Sequence, residues 1–438
     1  MTDFDARQAV EHLRSGVPSR RIASRYPFGR QSLLADVEED LIASERGSPR
    51  KRLRLLCAAY GDGKSHALQA IWRIAESKNW VVSFISLSRE TPLYRLDQVY
   101  RKLAENTYLP ESSQPGIQRL FETIRDSAAH DLGIFADDNL HPKLKLVIDN
   151  IVNGQTIDLQ HRFYADLTGE FMAVSDLRKL SDINYWSPLE VPREHRTKLR
   201  PFNETRDVID YFRLLGYVCS ICGRNGWLVL IDELELISAL GPKSRMRAYQ
   251  NLLHLTTDPL LKRTYIVTAL AQSYIEEILP KDVGVIAGLR NKGEVQLAED
   301  AYAMSQLISA EQGASQLAPL DRTELVSALE QVIHDHEAAY EWSAPISAEE
   351  LYRSVTRTLH VDHQLRNIIR GAIQWLDIMM QYGHPPTHFQ VGAATEQRPV
   401  LEDDEEYAIP IPDDEAEERE PALTRTVRRR NLLTGKMN

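Results

Sequence analysis

Gly61-Asp62-Gly63-Lys64-Ser65-His66, preceded by Cys57-Ala58-Ala59-Tyr60, has the residue types of a loop that wraps phosphate. In such a loop, backbone N–H groups in a tight turn face the phosphate oxygens, and the dipole of the following helix adds positive potential. Gly61 and Gly63 supply backbone angles that a Cβ resists. Lys64 would reach the β and γ phosphates and Ser65 would ligate Mg2+; Tyr60, Asp62 and His66 flank the cradle. The pattern G-x-x-x-x-G-K-[ST] asks for glycine at position 58, where this chain has Ala58. A methyl group at the end of a strand predicts weaker affinity rather than loss. The bland alternative is a glycine-rich turn with no ligand.

A second stretch, WLVLIDELELI over 227–237, carries Asp232 and Glu233 on the end of an apolar run. Asp232 would hold Mg2+ through water, and Glu233 would be the general base that orients and deprotonates an attacking water. The alternative is a strand ending in solvated carboxylates. Together the two stretches predict an ATP site with Mg2+.

A hydrolytic site also needs a γ-phosphate sensor and positive charge for the transition state. Thr268 in TYIVTALA is the sensor candidate, with Gln272 second and a plain strand threonine as the alternative. Arg290 in LRNKGEVQL, read as preceding a strand, stands where an arginine finger toward a neighbouring subunit would emerge. Arg366 in DHQLRNIIRGAIQWL is the candidate lid sensor, with Arg370 competing. Phe28-Gly29-Arg30 is read as an adenine-side turn. Each arginine has a surface reading and the turn a plain-loop reading. Cys219 and Cys222 have metal-like spacing but no second pair, so two buried small residues is the better reading. His360 and His363 are read as surface residues.

The elements that must position these groups are read from periodicity. Buried strands are expected at 53–60, 80–88, 227–231 and 263–271, with a short fifth at 293–298. A strand, a glycine turn, a helix over 64–78 and another strand make a βαβ unit, hence a parallel sheet. Helices are expected at 5–15, 30–44, 93–109 and 205–223, then near 301–310, 322–340, 347–358 and 362–381. The expected division is N-terminal helices over 1–45, an ATPase core over 46–110 and 205–300, and a helical insertion over 111–204. A helical lid over 301–393 and a disordered tail over 394–438 complete it.

The chain has 438 residues, 43% of them hydrophobic, and a net charge of −11. Residues 402–420 hold eleven acids and one Arg, and 421–438 hold four Arg and one Lys, which leaves about −6 for 1–401. So acidic a body is not an obvious nucleic-acid binder, though local basic strips are compatible with it. No apolar run is long enough to span a membrane, and three cysteines cannot make a disulfide framework. A soluble, cytoplasmic protein is expected.

The segments "AVEHLRSGVPSRRIA", "AAYGDGKSH", "VVSFISLSRETPLYRLDQVYRKL" and "GWLVLIDELELI" resemble ATP-binding proteins of the bacterial BREX phage-exclusion systems. The likeness is close over about 1–105 and 205–300; Ala58 departs from the family's usual glycine. The resemblance implies a P-loop ATPase of AAA or ORC-like type in antiphage defence, encoded near a helicase, a methyltransferase or a phosphatase-like protein. The expected fold is α/β: a P-loop AAA-type core with a parallel sheet, a helical insertion and a C-terminal helical lid. The expected activity is ATP hydrolysis acting on a partner such as a helicase, or on DNA, with a homo-oligomer possible. The alternatives are a nucleotide switch that does not hydrolyse, or a DNA-binding adaptor whose loop is structural.

Overall fold

The run that ends at Ala58 forms a strand covered on both faces, as parallel strands require. β1 (Leu53–Ala58) is buried throughout. Its one charged residue, Arg54, sits 2.6 Å from Asp40 Oδ2 and 3.0 Å from the Tyr265 hydroxyl. The computed structural model describes residues 3–16, 20–26, 28–47, 51–126, 140–153, 157–183, 200–311, 316–358 and 364–386. The expected tail over 394–438, with His360 and His363, lies outside the described residues.

Helices α1 (Asp3–Ser15), α2 (Arg20–Arg25) and α3 (Gln31–Glu45) precede β1. After it come α4 (Lys64–Ser77), β2 (Trp80–Ser86), α5 (Leu96–Glu105) and a two-residue strand, β3 (Thr107–Tyr108). Within 111–204 lie α6 (Ile117–Asp126), α7 (Pro142–Asn153), α8 (Ile157–Leu167) and α9 (Val174–Ile183). Helices α10 (Glu204–Asp207) and α11 (Ile209–Ile221) lead into β4 (Gly226–Asp232) and a 3-10 turn (Leu234–Ala239). Then follow α12 (Pro242–Thr257), β5 (Thr264–Ala271), a π turn (Tyr274–Ile278), α13 (Leu279–Asn291) and α14 (Val295–Glu311). The last elements are α15 (Arg322–Tyr340), α16 (Ala348–Thr358) and α17 (Leu365–Tyr382).

The strands form one sheet in the order β1-β5-β4-β2-β3, parallel except for β3. Ala58 pairs with Ala271, Ile231 with Thr268, and Asp232 with Ser86. The phosphate-type loop and the acidic pair therefore leave the same edge of the sheet, with β5 between their strands. That edge is where ligands of open α/β sheets bind.

Three apolar cores hold these elements. On one face of the sheet, Val37 and Leu41 of α3 and Ala67, Leu68 and Ile71 of α4 cover Leu56, Val82, Leu230 and Val267. The other face is covered by helices from α5 through α14. The third core contains no strand: Ala6, Ala9, Val10 and Leu13 of α1 pack with Leu329, Val332, Leu351, Val355, Ile369 and Ile373. The first helix is thus built into the same core as the last three. Among the described residues, no helix is long and apolar enough to cross a membrane.

The expected fifth strand at 293–298 is instead the start of α14. Read alone, GEVQLA alternates like a strand. Read with the residues after it, Ala298, Ala301, Met304 and Ile308 bury one helical face, while Val295 is 55% exposed. A six-residue window is too short to separate period 2 from 3.6. Helices α2, α12 and α13 and the edge strand β3 were not foreseen.

Candidate functional site

Gly61 and Gly63 have φ of +83° and +87°, the left-handed region that costs other residues energy. Space adds a further constraint at Gly61 but not at Gly63. A Cβ on Gly61 would come 2.5 Å from Gln364 Oε1, and one on Gly63 would meet Leu365 Cδ2 at 3.4 Å. Gly63 caps the N-terminus of α4, so the loop N–H groups and the helix dipole converge. Ala58, by contrast, is an ordinary buried residue at the end of β1, with its methyl in the core beneath the loop. That backbone does not need glycine.

Lys64 is largely buried. Its Nζ lies 3.3 Å from the Ala59 carbonyl, 3.5 Å from that of Ala58, and 3.9 Å from Glu235 Oε1. It also faces the Tyr60 ring at 5.8 Å. Ser65 and His66 follow on the first turn of α4, and Ser65 lines the same pocket as Lys64.

Asp232 is buried at the end of β4, and its Oδ1 accepts the Glu233 N–H at 3.0 Å. Glu233 has φ +60°, a left-handed conformation uncommon for a residue with a side chain and enriched at functional sites. It turns the chain off the strand and lines the pocket. Its carboxyl is pushed up to about 7 by burial and then by the negative charges of Glu235 and Asp232, against the pull of Lys64 and Arg366. Glu235 was not foreseen. It extends from the 3-10 turn toward Lys64, and its Oε2 accepts the Ala271 N–H at 3.1 Å. Burial raises its carboxyl as well.

Arg366 lies on the first turn of α17. Its N–H reaches the Gly61 carbonyl at 3.4 Å, its guanidinium faces the Tyr60 ring at 5.5 Å, and it lines the pocket. The remaining wall is apolar: Leu13, Ile22, Phe28 and Ile369, with His12 and His66. His66 donates from Nε2 to the Tyr26 carbonyl at 2.6 Å and packs on the Phe28 ring at 4.9 Å; burial pulls its imidazole below the usual histidine range. Arg30 clamps the loop from behind, donating to the carbonyls of Asp62 (3.0 Å) and Ala318 (2.7 Å). Gly29, with φ +68°, leaves room for the Glu324 side chain.

His12 and Leu13 were not foreseen either, although the segment EHLRSG carried a signal. Leu13 lines the pocket, Arg14 bonds Asp377 of α17 at 2.8 Å, and Gly16 packs against Arg366 and Arg370. Arg370 therefore backs the pocket without lining it.

Two candidates lie elsewhere. Thr268 is fully buried in β5, three residues short of Ala271 and level with Ile231 of β4, and it does not line the pocket. Gln272, beyond the edge, bonds Glu276 at 2.6 Å. Arg290 ends α13 and precedes a helix, not a strand; it pairs with Glu299 at 2.9 Å and faces Tyr302. It does not line the pocket of its own chain. Cys219 is buried, and the Cys222 thiol, pushed up to about 11 by burial, donates to the Leu120 carbonyl. Among the described residues no group of three or more His, Cys, Asp or Glu could hold a metal. P-loop magnesium needs no such cage, because phosphates and water supply most of its ligands. The oxygens of Ser65 and Asp232 are suitable hard donors for it.

The family model described as "BREX system ATP-binding protein BrxC/D" matches residues 3–174 and 192–393, and the chain belongs to that family. The match runs through most of the 111–204 segment and all of α15 to α17, beyond the stretches where the resemblance was closest. No curated protein matches the chain.

Proposed function

We propose, from membership of the BREX ATP-binding family, that this chain binds and hydrolyses ATP in the pocket between the loop, the acidic turn and α17, as part of bacterial phage defence. The observation that carries the reading is that Lys64, Glu233 and Arg366, 302 residues apart from first to last, line one pocket.

The geometry supports the following roles. Loop N–H groups and the α4 dipole hold the phosphates, Lys64 leaves its carbonyl partners for the β and γ oxygens, and Arg366 adds a second cation. Leu13, Ile22, Phe28 and Ile369 offer an apolar slot for the base. Ser65 and Asp232 would hold Mg2+, which supplies charge neutralisation on the phosphates. Glu233, once ionised, accepts a proton from water as its oxygen attacks the γ phosphorus and the bond to the β-phosphate oxygen breaks. α1, α15, α16 and α17 share one core and touch the loop through Gln364 and Arg366. We therefore treat them, with the adenine-side turn, as the body that responds to nucleotide. Its motion would act on a partner such as a helicase or modification enzyme, or on DNA.

A second reading, a nucleotide switch with little turnover, is favoured by one observation. Thr268 is fully buried and does not line the pocket, and the last three residues of β5, Ala269-Leu270-Ala271, carry no hydroxyl or amide. Phosphate release from wild type, Lys64→Ala and Glu233→Gln tests both. Hydrolysis predicts loss of turnover in both variants, by about a hundredfold or more for the base. Equal release from all three rules out the enzyme. Tight ATP binding with turnover indifferent to Glu233→Gln selects the switch.

A further inference from the structure

None of the roles above uses Glu235, yet it is built into the site. One oxygen stands 3.9 Å from Lys64 Nζ and the other accepts the Ala271 N–H at 3.1 Å. Ala271 pairs with Ala58 across β5 and β1, and Lys64 Nζ lies 3.5 Å from the Ala58 carbonyl. Lys64 and Glu235 therefore close the carboxyl ends of two adjacent strands, each side chain on one strand, and meet in between. Their side chains are only 8% and 15% exposed, so water does little to screen the pair.

We propose that Glu235 is a positioning residue that holds Lys64 in reserve, balancing its ammonium in the nucleotide-free loop and competing for it with the β and γ phosphates of ATP. The inference rests on the ATP reading of the pocket. When the phosphates draw Nζ away, a buried carboxylate is left beside added negative charge, which costs binding energy. Glu235 thus tunes affinity downward and ties occupancy of the phosphate site to the end of β5. Asp232 and Glu233 stand close by and add to the same repulsion, but neither is paired with Lys64.

The test is calorimetric titration without divalent metal, of ATP and of AMP, into wild type, Glu235→Gln, Lys64→Ala and the double variant. Glutamine keeps the acceptor for Ala271 N–H and removes the charge. The expected result is about tenfold tighter ATP binding in Glu235→Gln, the order of one charge-assisted contact that Lys64 no longer has to give up. AMP, which lacks the phosphates Lys64 reaches, should bind unchanged. In the Lys64→Ala background the same substitution should lose most of its effect, a coupling that a purely structural role would not give. Unchanged or weaker ATP binding in Glu235→Gln, or an equal effect with and without Lys64, overturns the proposal while leaving the ATP site intact. No ATP binding by wild type overturns both. Should Glu235→Gln fail to fold, Glu235→Asp keeps the charge but shortens its reach, and should tighten ATP part-way; no tightening overturns the proposal.

Discussion

At the scale of single residues, the site is a balance of two cations, Lys64 and Arg366, against three carboxylates, Asp232, Glu233 and Glu235. Glu233 is the group most affected. Because its carboxyl is pushed up to about 7, the fraction ionised, and so competent as a base, grows as pH passes through that region. Turnover should therefore rise as pH passes through about 7, and that limb should vanish in Glu233→Gln. Flat turnover across the range would remove Glu233 from the role. Ala58 gives the opposite kind of prediction. Since it sits in ordinary strand conformation, Ala58→Gly should leave ATP affinity unchanged and lower stability by about 0.5–1 kcal/mol. Weaker ATP binding in that variant would mean the loop backbone has been misread. Lys64, Ser65, Asp232 and Glu233 were legible in sequence because each motif is contiguous and its chemistry is local. Glu235 was not, because a 3-10 turn, not a strand, sets its direction. Thr268 is buried outside the pocket lining, a depth that strand periodicity alone does not give.

At the scale of elements, the strands and most of the helices were legible from apolar runs and 3.6-residue spacing. The expected strand at 293–298 failed because its residues belong to a helical face completed only by Ala301, Met304 and Ile308. The pairing of α1 with α15 and α17 was illegible, since contacts across more than three hundred residues leave no local pattern. The segment that follows α1 has its own polar anchor on α15. Asp335 of α15 is fully buried and accepts from Arg25, from the Tyr26 hydroxyl and from Gln331 at 3.0 Å. Asp335→Ala removes the acceptor from a buried hydroxyl and from a guanidinium, and should cost about 2–4 kcal/mol in denaturant unfolding. Because the Tyr26 carbonyl also holds His66, the same variant should weaken ATP binding. Normal stability and affinity in Asp335→Ala would separate the N-terminal segment from the site.

At the scale of the whole molecule, the sheet sets the loop and the acids on one edge, and the third core brings α17 and α1 over them. Arg290, on the surface at the end of α13 and held by Glu299, is not part of that pocket. Its proposed role as a finger requires a second copy. With ATP and Mg2+, light scattering should then show an assembly, and Arg290→Ala should leave ATP binding intact while lowering turnover by about a thousandfold. A monomer whose turnover ignores Arg290→Ala would dismiss both the ring and the finger. All of these expectations stand on ATP occupying the pocket of Lys64 and Arg366. The most direct test is calorimetric titration of ATP with Mg2+ into wild type, Lys64→Ala and Arg366→Ala. The expected result is one ATP per chain in wild type, with affinity at least about tenfold weaker in each variant, the loss of a charge-assisted contact. Wild type that takes up no ATP, or variants that bind it as wild type does, would contradict the assignment of this pocket.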